Sequence, residues 1–141
     1  MMTNHIKVEF EAKEGNVGLA RIVAVGFMAP LDPTIDEAED VKVAVSEAVT
    51  NAIVHGYEGR EGVVFLEAFS YDNTVMFSVR DKGCGIEDIN KAREPLFTTK
   101  PQEERSGLGF TVMESFMDSL HIESVVGDGT TVTMTKRIGS R

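Results

Sequence analysis

Three residues able to do chemistry recur at every fourth position of VAVSEAVTNAIVHGY, Val43–Tyr57: Glu47, Asn51 and His55. Four residues is close to one helical turn, so a carboxylate, a carboxamide and an imidazole share one side of an otherwise apolar helix. Val41, Val45, Ala48, Val49, Ala52 and Ile53 form a broad apolar arc beside them. Facing a cleft, Glu47 can take a proton from a hydroxyl. Asn51 is an uncharged oxygen ligand suited to Mg²⁺, which combines a few protein oxygens with phosphate and water. Facing solvent, the same three are an ordinary polar edge, and spacing alone does not choose between the two.

Two glycine-punctuated stretches lie downstream. RDKGCGI closes a strand-like run: Asp81 can accept a hydrogen bond from an exocyclic amine, and Gly83 and Gly85, just before Ile86, let the backbone approach a flat ring. A tight glycine turn is the plainer account of that stretch. ERSGLGF sets Ser106, Gly107, Leu108, Gly109 and Phe110 at the start of a helix, where free N–H groups and the helix dipole favour phosphate. The stretch is not a Walker motif, because GxxxxGK[ST] is missing. It is not a Rossmann fingerprint either, since no strand runs straight into it.

The elements that must position these groups follow from periodicity. HIKVEFEA alternates, with Ile6, Val8 and Phe10 on one face, and predicts a first strand. A helix is expected from about Asn16 to Met28, interrupted afterwards by Pro30 and Pro33. TIDE is a capping box, Thr34 with Glu37, and opens a helix expected to run to His55 with Gly56 as its C-cap. GVVFLEAFS and TVMFSVRD predict a hairpin turning at Asp72 and Asn73. Glu87 to Arg105 reads as a polar loop of functional length, SGLGFTVMESFMDSL as a helix, and HIESVV with TTVTMTKRI as a final hairpin across GDG. Met113 and Met117, one turn apart near Phe110, read as core. The predicted fold is α/β, a two-layer α+β sandwich: a mixed, mainly antiparallel sheet with helices on one face, in one domain over 1–141.

Composition narrows the function. The 141 residues carry 14 Lys and Arg against 23 Asp and Glu, a net charge of −9, which argues against nucleic acid or an anionic membrane as a direct partner. Such a surface also repels ATP, so a nucleotide site needs local compensation from metal, backbone N–H groups or nearby cations. Cys84 is the sole cysteine and the three histidines are scattered, which excludes an internal disulfide and a Cys-rich zinc site. With no signal-peptide core and no apolar run of membrane-spanning length, the expectation is a reduced, soluble, cytoplasmic protein.

Glu47-x-x-x-Asn51, DxGxG at 81–85, GLG at 107–109 and GTT at 129–131, in that order, resemble the Bergerat-type ATP-binding fold of DNA gyrase B subunits, Hsp90, MutL and sensor histidine kinases. The resemblance covers nearly the whole chain. It implies ATP or ADP and Mg²⁺ as ligands, Glu47 as catalytic base, Asn51 as metal ligand and Asp81 as reader of the adenine amine. Thr130 then supports the adenine pocket, Ile86 joins the nucleotide-binding residues, and the later glycines cradle the phosphates beneath a lid at about 87–105. A narrower resemblance rests on SEAVTNAIVHGY, EPLFTTKP, ERSGLGFTVMESFMD and LDPTIDE: these are similar to bacterial anti-sigma factor serine kinases, above all the sporulation branch.

That similarity implies a homodimer that holds a sigma factor of the sigma F type and phosphorylates a serine of a STAS-type anti-anti-sigma protein. In the lid, Thr98, Thr99, Lys100 and Arg105 suit phosphate; Arg105 meets charge at the γ-phosphate or, alternatively, the docked partner, and Lys100 is equally an ordinary solvated charge. His55 either borders the phosphates or packs at the helix end. Arg21 matches the arginine with which the family docks sigma factor. A general-stress sigma partner and a non-catalytic, ATP-liganded sigma-binding module remain as alternatives.

Overall fold

The computed structural model describes residues 2–94 and 109–139. Five strands, β1 (Met2–Glu11), β2 (Val63–Tyr71), β3 (Thr74–Asp81), β4 (Ser119–Val125) and β5 (Gly129–Arg137), form one sheet in the order β1-β2-β3-β5-β4. Every pairing is antiparallel. The chain leaves β1, builds two long helices and returns to lay β2 against it, with Val8 opposite Leu66 and Phe10 opposite Val64.

Alternation decides which face of the sheet is covered. In β2, Val64, Leu66, Ala68 and Ser70 are buried while Phe65, Glu67, Phe69 and Tyr71 are not. Val75, Phe77 and Val79 continue the buried face on β3, and Val132 and Met134 on β5. Against that face lie α1 (Asn16–Met28), burying Ala20, Ala24, Phe27 and Met28, and α2 (Ile35–Asn51), burying Val41, Ala44, Val45, Ala48 and Val49. A short α3 (Ile89–Ala92) and α4 (Gly109–Phe116) complete the helical layer, with α4 packed on α2. Met113 and Met117 are in the core as expected, and Phe110 joins them.

The capping box forms as the sequence dictates: Glu37 N–H donates to Thr34 Oγ1 at 3.0 Å, and Thr34 N–H donates to Glu37 Oε1 at 2.8 Å. The hairpin also turns where predicted, with Asp72 in the left-handed region at φ 52.

Three expectations need correction. The α-helical hydrogen bonding of α2 ends at Asn51, and Ala52–Gly56 form a π turn in which Tyr57 N–H reaches back five residues to Ala52 O at 3.0 Å. The helix opened by SGLGF stops at Phe116. Asp118 is drawn into the sheet instead, donating its N–H to Thr135 O at 2.8 Å and accepting from Arg137 N–H at 2.7 Å, so β4 begins at Ser119, earlier than HIESVV suggested. The polar segment from Glu87 is not loop throughout, because Asp88 caps α3 by accepting from Lys91 N–H at 3.1 Å. Thr98, Thr99, Lys100, Arg105, Ser106, Gly107 and Leu108 lie outside the described residues.

Thr34→Ala removes one side-chain cap and the return bond it organises. Urea denaturation is expected to give about 1 kcal/mol lower stability with an unchanged m value. A loss below a few tenths of a kcal/mol would mean the cap does not hold α2.

Candidate functional site

A cavity of about 570 Å³ opens between the end of α2, the turn after β3, α3, the start of α4 and the β4–β5 hairpin. Its wall includes Asn51, His55, Asp81, Gly85, Ile86, Phe110 and Thr130, seven of the residues predicted from sequence. Glu47 stands one turn before Asn51, half-buried and just off the wall. Gly83 and Gly109 are buried behind it. Arg21 is exposed on α1, donating from Nη1 to Ser46 Oγ of α2 at 3.4 Å, and is not on the wall.

The glycines are where backbones meet without room for a side chain. A Cβ on Gly83 would sit 2.0 Å from Gly56 O, and one on Gly56 would sit 2.7 Å from the Asp81 carboxyl carbon. Gly56 is therefore not a left-handed C-cap; it is glycine because Asp81 occupies the place of its side chain. Gly83 likewise allows close packing of two segments of the chain, with Cys84 N–H donating to Gly56 O at 2.8 Å. Gly85 has φ +80, and a Cβ there would meet Val125 O at 2.4 Å. Gly109 abuts the Asn51 carboxamide, its missing Cβ 2.8 Å from Nδ2, so α4 opens directly against the predicted metal ligand.

Asp81 ends β3 opposite Thr130 of β5 and is only 5% exposed. Gly83 N–H donates to its Oδ1 at 2.9 Å. Burial raises the Asp81 pKa above its ordinary 3.8, while backbone N–H bonds from Gly83 and Thr130 pull the other way. Tyr57 braces the same turn: its hydroxyl donates to Val63 O at 2.6 Å and accepts from Lys82 N–H at 2.8 Å. Burial likewise raises Cys84 above a normal thiol. With Sγ donating to His55 O at 3.1 Å, it is a packing residue rather than a reactive one.

Val79 and Val132 supply an apolar floor beneath Asp81 and Thr130. The rim adds Glu58, Glu87, Asp88 and Lys91, which sequence reasoning did not single out because their relation to the cavity depends on long-range packing. Ser124 of β4, also missed, ties Ile86 to Gly129 and Thr130 of β5 through its hydroxyl. Among the described residues no group of three or more His, Cys, Asp or Glu can hold a metal. A divalent ion here would have Asn51 as its neutral protein oxygen and draw its remaining oxygens from a phosphate ligand and water, the habit of Mg²⁺. The donor set fits that ion.

Residues 10–136 match the histidine kinase-like ATPase domain. The anti-sigma F factor of Thermoanaerobacter sp. (strain X514) is 54% identical over 138 residues, covering 98% of this chain and 96% of that protein. The chain belongs to the anti-sigma F factor group of the histidine kinase-like ATPase family. Among solved structures, the RsbU and RsbW domains of Rv1364c from Mycobacterium tuberculosis are similar at TM-score 0.69 and 22% identity, over 96% of this chain and 33% of that one. Full-length ShkA in complex with AMPPNP is similar at TM-score 0.60 and 19% identity, over 91% of this chain and 31% of that one. These two likenesses are of fold. No helix among the described residues is long and apolar enough to cross a membrane.

The raised pKa of Asp81 has a thermodynamic consequence. The folded carboxyl binds a proton more readily than the unfolded one, so without ligand its contribution to stability falls as pH rises from 3.8 to the raised value, then levels off. Urea titrations across that range are expected to show this downward component in the native protein and its absence in Asp81→Asn. Parallel pH profiles for the two would contradict the assignment.

Proposed function

We propose that the chain binds ATP in this cavity, transfers its γ-phosphoryl group to a serine of a STAS-type anti-anti-sigma protein, and restrains a sigma factor of the sigma F type. The observation that carries the reading is the buried Asp81 carboxylate above an apolar floor, an acceptor suited to an exocyclic amine beside a flat base. Kinship with anti-sigma F factors supports the partners, and the fold shared with an AMPPNP-bound protein supports the nucleotide.

In this reading the base enters between Ile86 and the valine floor. Its phosphates extend toward Asn51 and the start of α4, where a neutral carboxamide stands on the described wall and Gly109 abuts it. Mg²⁺, when bound, neutralises phosphate charge. The incoming serine oxygen forms a bond to the γ-phosphorus as the bond to the bridging oxygen breaks, ADP departs, and Glu47 accepts the serine proton. Asn51 holds the metal end of the nucleotide and Asp81 the base end, which fixes the distance between γ-phosphate and base. Arg105, Lys100 and the lid hydroxyls of Thr98 and Thr99 keep the phosphate roles the resemblance implies. Arg21, flanked by Leu19 and Ile22, 45% and 71% exposed, is proposed as the sigma-docking residue, since charge beside exposed apolar surface suits a protein partner.

Labelled ATP with the purified antagonist tests the transfer. Glu47→Ala is expected to bind ATP within a few-fold of the native protein and to lose phosphoserine formation by a factor on the order of 10² or more. Near-native transfer by that variant removes Glu47 as base. Tight ATP binding with no phosphoserine, even in the native protein, would leave a sigma-binding module that uses ATP only as a ligand. Arg21→Glu is expected to weaken sigma capture at least tenfold without altering ATP titrations, and equal capture would move the docking surface elsewhere.

A further inference from the structure

Beneath the base-binding end of the cavity, one hydroxyl joins three segments. Ile86 N–H donates to Ser124 Oγ at 2.7 Å. Ser124 Oγ lies 3.1 Å from Gly129 O and 2.8 Å from Thr130 Oγ1. A carbonyl oxygen can only accept, so the arrangement that satisfies all three contacts gives the single proton of Ser124 to Gly129 O. The contact with Thr130 is then donated by Thr130. With its proton directed to Ser124, the Thr130 oxygen has only lone pairs left to offer the cavity.

We propose that Ser124 is a positioning residue: it holds the Thr130 hydroxyl as an acceptor toward the cavity and thereby selects a 6-amino purine over a 6-oxo purine. The inference rests on the ATP-binding reading and deepens it. An exocyclic amino group carries two hydrogens. Asp81 and Thr130, partners across β3 and β5, present two acceptors at one end of the cavity. A 6-oxo base would bring an acceptor where the amino group brings two donors; its N1–H, at the neighbouring ring position, replaces at most one of them, and buried polar groups tolerate such a loss badly. Threonine alone would not discriminate, because a free hydroxyl rotates to donate or accept as the ligand requires. Ser124 removes that freedom. It also anchors Ile86, so its loss has a separable structural effect, a loosened wall that weakens both kinds of nucleotide alike.

The ratio of ITP to ATP dissociation constants separates the two effects, since these ligands share their sugar and phosphates and differ at the 6-position. The native protein is expected to prefer ATP strongly. Ser124→Ala is expected to lower that preference about tenfold, and Ser124→Thr, which keeps the hydroxyl, to restore it. Ser124→Cys gives the same readout if the alanine variant does not fold, because a thiol is a poor acceptor. Thr130→Val should abolish any further effect of Ser124→Ala on the ratio. A native protein that selects ATP, with an unchanged ratio in the folded Ser124 variants, overturns the inference and leaves the ATP reading intact. A native protein that binds neither nucleotide overturns both.

Discussion

The end of β3 and the end of α2 meet backbone to backbone at Gly56 and Gly83, with Asp81 filling the space that a side chain on Gly56 would need. The shape of the cavity depends on that contact. It brings a helix carrying Glu47 and Asn51 to the ends of the central strands that carry Asp81 and Thr130, and it shuts water away from the carboxylate between them. Interiors pack without slack, so a methyl group at either glycine would have to separate the two layers. The π turn at Ala52–Gly56 belongs to the same constraint. By widening the last turn it lets the chain pass from helix packing to this close approach while His55 stays on the cavity wall.

Asp81 illustrates a tension between stability and binding. A buried carboxylate opposes folding unless hydrogen bonds compensate it. Two backbone N–H groups do so in part, and the net effect is still a raised pKa. The remaining deficit can be offset when a ligand supplies a donor, so the site is built to be more favourable occupied than empty. The acidic rim of Glu58, Glu87 and Asp88 acts in the opposite sense on a polyanion. This places the burden of charge neutralisation at the Asn51 end, where the carboxamide and the start of α4 meet. In the proposed reading, the local compensation that the net charge of −9 demands falls to the Asn51 end, with Lys91 the one cation on the described rim.

Local signals were legible in the sequence. The capping box, the hairpin at Asp72 and the alternation in β1 to β3 are each settled within a few residues, and each forms as predicted. Motif spacing in a known order picked out residues that converge on one cavity: Asn51, Asp81, Gly85, Ile86, Phe110 and Thr130. What escaped was non-local. The π turn alters helical periodicity too briefly for an apolar pattern to register it. Gly56 follows a helix as a C-cap does, and only the tertiary contact with Asp81 reveals its reason. Ser124 is one serine in an alternating strand, and its importance comes from a register that sets it opposite Thr130. Asp118 looked helical because sheet pairing with Thr135 is invisible to local propensity.

The central claim is that the Asp81–Thr130 end of the cavity reads the base while the Asn51 end holds the phosphates. A crystal structure of the protein with AMPPNP and Mg²⁺ addresses both ends at once. The account predicts the purine over Val79 and Val132, its amino group within hydrogen-bond distance of Asp81 and Thr130, and the metal on the Asn51 oxygen. A base bound outside this cavity, or one reversed so that the phosphates lie at Asp81, would contradict it.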